Sequence, residues 1–494
     1  MTANVSDNVE AKNLLIIMAD EHNPKMLGIA GHPLVKTPHL DALAERGTRF
    51  TSAYTTCPIC VPARASFATG RFVHQIGYWD NAMGYDGRVK GWGHALQAQG
   101  YQVDSIGKLH YRATTDDVGL DEQYIPMHIK DGVGMVHLSI RNQFPDHVPM
   151  LKPSGIIPAA GPGESEYTQY DRNITRHACD WIARAAARDA DAPWVLFVSF
   201  VTPHFPLVAP QEFYDLYNPD KMPSPKASPS AGFEGHPALA WHVAKTAADQ
   251  YDDHQNRVAL AAYLGLCSFM DAQVGAVVGA LEAHGLTEDT RVLYTSDHGE
   301  NAGARGMWGK SNHYEEASGI PLIMAGAGVP SGRVCATPVT LVDVHPTVLE
   351  ATGLPADAQA PGESLFTLAA ADDQPERVAF SEYHAAGSPA GSFMVRRGRY
   401  KLIYYVGHAP ELFDLETDPE ELADLHADPA YAEVRAELES LLRAMLDPEA
   451  VDKAANDAQV ELVNSRGGPA QVLRDLVTTK SYTPVPDELL NTTG

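Results

Sequence analysis

The chain has 494 residues, 44% of them hydrophobic and 20% charged, which suits a globular protein of two or three domains around a large core. Its formal net charge of −26 excludes the basic footprint that nucleic acid requires, and it gives an anionic ligand no help from the overall field. Attraction for an anion must therefore come from a local cluster of metal, Arg, Lys and His.

In chain order, the first apolar run is Leu14 to Met18, which ends on Asp20. It is too short for a signal-peptide core, lacks a small-residue cleavage site, and reads as a buried strand over residues 13–19. No stretch is expected to reach the apolar length that spans a bilayer. The five cysteines (Cys57, Cys60, Cys179, Cys267, Cys335) are few and odd in number, which fits a reducing, cytoplasmic compartment. Helical period over 39–46 is followed by a strand over 101–106, a helix over 166–188, a strand over 194–200 and a helix over 259–284. Strands over 291–296 and 321–325 complete the pattern of an α/β domain, a large mostly parallel sheet sandwiched by helices. Segments 150–164 and 218–253 are polar or Pro-containing and read as excursions from that core, the second as a lid or an oligomer contact. This larger α/β domain is expected to span 1–370. After a polar linker near 369–376, alternation over 393–406 and amphipathic period over 420–446 predict a smaller α+β domain, 371–463. Residues 464–494 are expected to form a loose tail in a monomer, or an arm around a neighbour in a homo-oligomer.

Ligands of doubly wound sheets bind beyond the carboxyl ends of the strands. Four predicted strands end there in reactive residues: Asp20-Glu21-His22, Lys108-Leu109-His110, Pro203-His204-Phe205 and Asp297-His298-Gly299-Glu300. Asp20 with Asp297 and His298 offers carboxylate and imidazole ligands to a divalent cation. Taken singly, Asp20 reads as well as a helix cap and Asp297 as a turn residue. Four such endings pointing the same way predict one shared site.

The segment from Cys57 to Arg71 admits several readings. Cys57 and Cys60 form a Cys-x-x-Cys pair that suits a thiol–disulfide oxidoreductase, or two buried cysteines in plain packing. A zinc site would need a second pair, and none stands at suitable spacing. Cys60-x-Pro62-x-Arg64 followed by Thr69-Gly70-Arg71 resembles the signature of the type I sulfatases of the alkaline phosphatase superfamily. Gly107-Lys108-x-His110, Pro203-His204-x-Pro206, Thr37-Pro38-His39-Leu40-Asp41, Asp343-Val344-His345-Pro346-Thr347 and Leu412-Phe413-Asp414-Leu415 are similar to further elements of that family. The resemblance weakens over 112–165, 218–255 and the tail.

The resemblance implies hydrolysis of sulfate monoesters by a formylglycine made from Cys60 by a formylglycine-generating enzyme, the hydrated aldehyde being the nucleophile. It implies a divalent metal (calcium, manganese or zinc) on Asp20, Cys60, Asp297 and His298, with Glu21 as a further ligand. It assigns Arg64 to the formylglycine hydroxyl, Lys108 and Lys310 to the sulfate oxygens, His204 to protonation of the leaving alcohol, and His110 to the base that regenerates the aldehyde. Asn81 is a candidate substrate neighbour whose alternative is a simple turn. Ala63 stands where many members have Ser or Cys. His298 stands where most arylsulfatases carry Asn, and so looks more like choline sulfatases and phosphonate monoester hydrolases. Hydrolysis of phosphonate monoesters or phosphodiesters by the same residues is therefore the rival reading, for a small anionic ester in either case. No nucleic-acid or membrane partner is expected.

Overall fold

A computed structural model describes residues 13–147, 155–188, 193–227, 232, 234–246, 250–385, 387–478 and 483–486. Its centre is an eight-stranded sheet of β1 (Asn13–Asp20), β2 (Gly47–Phe50), β3 (Gln102–Lys108), β4 (Glu122–Met127), β5 (Trp194–Pro203), β6 (Thr290–Ser296), β7 (Leu322–Ala325) and β8 (Arg333–Cys335). The spatial order is β8-β2-β7-β6-β1-β5-β3-β4, and β7 alone runs against the rest. β1 pairs in parallel with β5 on one side and β6 on the other, so the ends of three central strands stand together.

The apolar run of β1 is continuous because both of its faces are covered. Leu14, Ile16 and Met18 enter one buried cluster with Phe67 of α2 (Cys60–Thr69) and Val348 of α5 (Val344–Ala351). Leu15, Ile17 and Ala19 enter another with Leu40 of α1 (Pro38–Glu45), Ile174 of α3 (Glu166–Ala186) and Met270 of α4 (Asp253–Ala283).

One expectation is corrected by α4. Its 31 residues include an 18-residue window of mean hydropathy 1.5, long and apolar enough by composition to cross a membrane. The window is 67% buried, its apolar side chains lying against the sheet and the neighbouring helices, as in a core helix.

The second sheet is antiparallel, in the order β9 (Ala379–Tyr383), β10 (Ser392–Arg397), β11 (Tyr400–Tyr405), β12 (Glu411–Asp414). The helix predicted over 420–446 is present only as α6 (Ala432–Met445), whose Leu438 and Leu442 cover Phe393, Val395 and Leu402. Glu421 has a φ of 52° and Pro429 opens a 3-10 turn, so the chain before α6 cannot continue the helix. Glu421 instead turns inward, where Lys401 Nζ lies 2.8 Å from Glu421 Oε1 and 2.8 Å from Glu315 Oε1 of the large domain.

The described residues from 464 onward are packed against the rest of the chain rather than loose. Helix α7 (Pro448–Ser465) is followed by α8 (Pro469–Thr478), and Val463 and Val472 pack on Val136 and Ile140. Farther on, Val485 is buried in the core beside α3, and the Tyr167 hydroxyl meets Thr483 Oγ1 at 2.8 Å. Residues 479–482 and 487–494 lie outside the described residues, as do parts of both excursions. Within the second excursion, Lys226 is ion-paired with Glu316 and Glu420.

Candidate active site

Helix α2 is buried along its whole length, with Cys60 as its first residue. Ile59 at its N-cap offers no side-chain acceptor, and Asn81 Oδ1 substitutes by accepting the Val61 N–H at 3.0 Å. Asn81 thus fixes the start of the helix that presents Cys60. The helix stops at Gly70, whose φ of 65° is left-handed and where a Cβ would lie 2.4 Å from His345 Cβ.

Cys60 Sγ sits 3.1 Å from His298 Nε2 and 3.7 Å from Asp20 Oδ1, and ligand atoms of Asp20, Cys60, Asp297 and His298 all lie within 4.8 Å of one another. His298 Nδ1 faces the Gly299 carbonyl at 3.1 Å, and a carbonyl can only accept, so Nδ1 carries the hydrogen. The lone pair of Nε2 is then directed at Asp20 Oδ1 (3.8 Å) and Asp297 Oδ1 (3.7 Å). These three acceptors face one another beside Cys60 Sγ, and this donor set fits a divalent metal.

Arg64, one helical turn past Cys60 and 1% exposed, braces that cluster. Its Nε donates to Asp297 Oδ2 at 2.7 Å, its Nη2 to Asp20 Oδ2 at 3.1 Å, and its Nη1 to the Lys108 carbonyl at 2.7 Å and to Ser199 Oγ at 2.8 Å. Lys108 is ion-paired with Asp20 as well. Burial alone would raise the Asp20 carboxyl, but Lys108 foremost, with His204, Arg64 and His298, holds it well below the usual carboxylate range.

A second group forms beside the first. Glu21 Oε2 accepts from Lys310 Nζ at 2.8 Å and lies 3.2 Å from His204 Nε2. Glu21 shares a ligand cluster with Asp20 and His204, apart from the one that holds Asp297 and His298. Burial and neighbouring Glu300, opposed by Lys310, keep its carboxyl well above the ordinary value. His204 Nδ1 faces the Phe205 carbonyl at 2.6 Å, so Nε2 is the nitrogen free to exchange a proton. Lys310 is placed by a loop whose Gly309 N–H donates to Glu300 Oε1 at 2.5 Å and whose Ser311 N–H donates to the Pro58 carbonyl at 3.0 Å. His110, at a φ of 58°, donates its own N–H to the Met127 carbonyl at 2.8 Å, and its buried Nδ1 has no hydrogen-bond partner among the described residues. Burial, then Lys108 and Arg64, push the His110 imidazole well below its ordinary value, so it is neutral and able to take a proton.

The eleven residues singled out from sequence thus stand at one end of the sheet in two adjoining groups, Asn81 reaching them through Val61. Ser199, which supports Arg64, and Glu300, which supports the Lys310 loop, were not assigned roles from sequence. Ser199 lies inside a strand and carries no motif, whereas Glu300 ends the Asp297-His298-Gly299-Glu300 run and was legible there. Trp92 packs in the sheet core with Phe67, while Trp79 and Trp241 belong to a separate cluster with Cys57 and Tyr383.

Cys57 and Cys60 are not bridged. Burial and Asp20 push the Cys60 thiol up to about 12, opposite to the depressed value a redox cysteine needs. The sulfatase profile matches residues 12–354, and that of the C-terminal part of N-sulphoglucosamine sulphohydrolase matches 303–447. The chain belongs to the sulfatase family. This sulfatase is 31% identical over 470 residues to a choline-sulfatase of Rhizobium meliloti, covering 90% of this chain and 89% of the relative. It is 27% identical over 469 residues to arylsulfatase K of Bos taurus, covering 89% and 82%. In fold it is similar to a phosphonate monoester hydrolase of Agrobacterium radiobacter, with a TM-score of 0.72, 24% identity and coverage of 88% and 95%. The sulfatase is a sulfuric ester hydrolase, and the thiol–disulfide reading is set aside.

Proposed function

We propose that this sulfatase hydrolyses small sulfate monoesters with Cys60 oxidised to formylglycine by a formylglycine-generating enzyme. The observation that carries the reading is the position of Cys60 Sγ, 3.1 Å from His298 Nε2 at the start of a buried helix and facing Asp20 and Asp297. A bound divalent metal supplies charge neutralisation at the sulfate oxygens, and the hydrated aldehyde supplies an oxygen nucleophile. Asp20, Asp297 and His298 would hold the metal; a nitrogen ligand beside two carboxylates favours manganese over calcium.

The residues around that point divide the remaining work. Arg64 and Lys108 already match the charges of Asp20 and Asp297, so a divalent cation leaves a local positive surplus in a protein of net charge −26. Lys108 and Lys310 donate to the sulfate oxygens, and Asn81 keeps the nucleophile aimed by holding Val61. Nε2 of His204 donates a proton to the leaving oxygen from the doubly protonated ring, whose Nδ1–H is held by the Phe205 carbonyl and whose Nε2–H faces Glu21 Oε2 at 3.2 Å. His110, neutral and unpartnered at Nδ1, accepts the proton released when sulfate departs. A cytoplasmic site of action is supported by the five unbridged cysteines.

A peptide mass map across residues 50–75 tests the reading. It is expected to show an aldehyde at position 60, and a free thiol there in fully active protein overturns the mechanism. The rival reading, phosphonate monoester or phosphodiester hydrolysis, is favoured by His298 next to Asp297. Faster turnover of an aryl phosphonate monoester than of the matching aryl sulfate would transfer the assignment to it.

A further inference from the structure

The imidazole of His204 follows β5 directly, and a residue of α3, the helix packed on one face of the sheet, holds that strand end. Asp171 of α3 is fully buried, and its carboxylate accepts the Val201 N–H at 2.9 Å, the Thr202 N–H at 2.8 Å and the Thr202 hydroxyl at 2.6 Å. One turn earlier on the same helix face, the ring of Tyr167 stands edge-on to His204, with centroids 6.1 Å apart and planes at 76°. No cation is ion-paired with Asp171 among the described residues; all the hydrogen-bond donors to its carboxylate belong to the two residues that lead into Pro203 and His204. A carboxylate is an unusual choice for that task, because burying it unpaired is costly. Burial lifts it to about 7 against the pull of the Thr202 hydroxyl and the two N–H groups, and its advantage is that, once ionised, it only accepts. A carboxamide in the same place would turn an NH₂ group against one of three donors.

We propose that Asp171 is a positioning residue for His204, fixing Val201 and Thr202 so that His204 Nε2 meets the leaving oxygen as the S–O bond breaks. His204, protonated at both nitrogens, passes the Nε2 proton to that oxygen, which departs as the neutral alcohol and leaves the ring neutral with its hydrogen on Nδ1. The inference rests on the reading of His204 as the acid.

The test is kcat/KM of the metal-loaded protein, with the aldehyde at position 60 verified, over aryl sulfates from an acidic nitrophenol to unsubstituted phenol. Asp171→Asn is expected to lose roughly tenfold with the best leaving group and on the order of 10²-fold with the poorest, because only poor leaving groups depend on proton donation. Thr202→Val, which removes one donor and keeps both backbone bonds, is expected to steepen the dependence less, and Thr202→Ser to restore it. Thr202→Val also carries the test should Asp171→Asn not fold. A uniform loss across the series, or an unchanged slope, overturns the proposal. In a His204→Ala background Asp171→Asn must add no further slope. If His204→Ala itself keeps the wild-type slope, the reading of His204 as the acid fails; if it steepens while Asp171→Asn stays flat, only the role of Asp171 fails.

Discussion

Arg64 Nε donates to Asp297 Oδ2 at 2.7 Å while Arg64 Nη2 reaches Asp20 Oδ2 at 3.1 Å, so one planar group ties together the carboxylates that end β1 and follow β6. Lysine carries the same charge as a single point and cannot span both. Arg64→Lys is expected to weaken metal binding roughly 10- to 100-fold, as loss of an outer partner of metal ligands does. Equilibrium dialysis with metal analysis measures this, and unchanged affinity would count against the arrangement.

Glu21 stands with Lys310 and His204 rather than with Asp297 and His298. Glu21→Gln is therefore expected to keep the wild-type metal stoichiometry while turnover falls about tenfold, through misplacement of a proton donor and its lysine neighbour. Loss of the metal in this variant would place Glu21 among the ligands instead.

His298 supplies the nitrogen donor of the set. His298→Asn replaces it with an amide oxygen, a harder ligand, and is expected to shift preference from manganese or zinc towards calcium. Metal-stripped wild type and variant, reconstituted with each ion in parallel, should differ in the order of restored activity. An identical order in both refutes the prediction.

A pH effect is expected away from the site. His74 Nδ1 lies 2.8 Å and His384 Nε2 2.9 Å from the buried carboxylate of Glu382. Burial would raise that carboxyl, but His74 foremost brings it down to about 2, and Glu382 in turn raises His74 against its own burial. The contribution of Glu382 is present above its unfolded value and lost as pH falls through about 2; that of His74 is present below its unfolded value and lost as pH rises through its raised one. Both are complete between roughly pH 4.5 and 6.5. His74→Gln is expected to lower Tm by about 2–4 °C in that window and by less near pH 9. Thermal unfolding at the two pH values checks it, and an equal difference at both would rule it out.

Much of the site was legible because its residues follow strands whose apolar runs are long and covered on both faces. Residues 13–19 and 194–200 read as strands for that reason, and Asp20 and His204 were found by reading past their ends. Residue 310 was harder, since its loop is placed by hydrogen bonds to Glu300 and Pro58 that leave no periodic trace. Tyr167 and Asp171 were invisible for the opposite reason. They lie i and i+4 on a regular amphipathic helix, where the pattern reports only that they face inwards. The predicted helix over 420–446 failed where a buried charge prevailed over local period. Glu421 leaves the helical region to reach Lys401, and Pro429 restarts the chain. The stretch from 464 looked loose because it is polar and carries three prolines, yet Val472 and Val485 each find a buried place.

The contact between Tyr167 and Thr483 joins residues 316 positions apart. A nascent chain that has reached Lys310 already contains every side chain proposed to meet the ester. The ring beside His204 nevertheless gains its partner only when translation arrives at Thr483. Maturation of the acid is in that sense a matter of timing: the ribosome delivers the reactive groups early and their last support late.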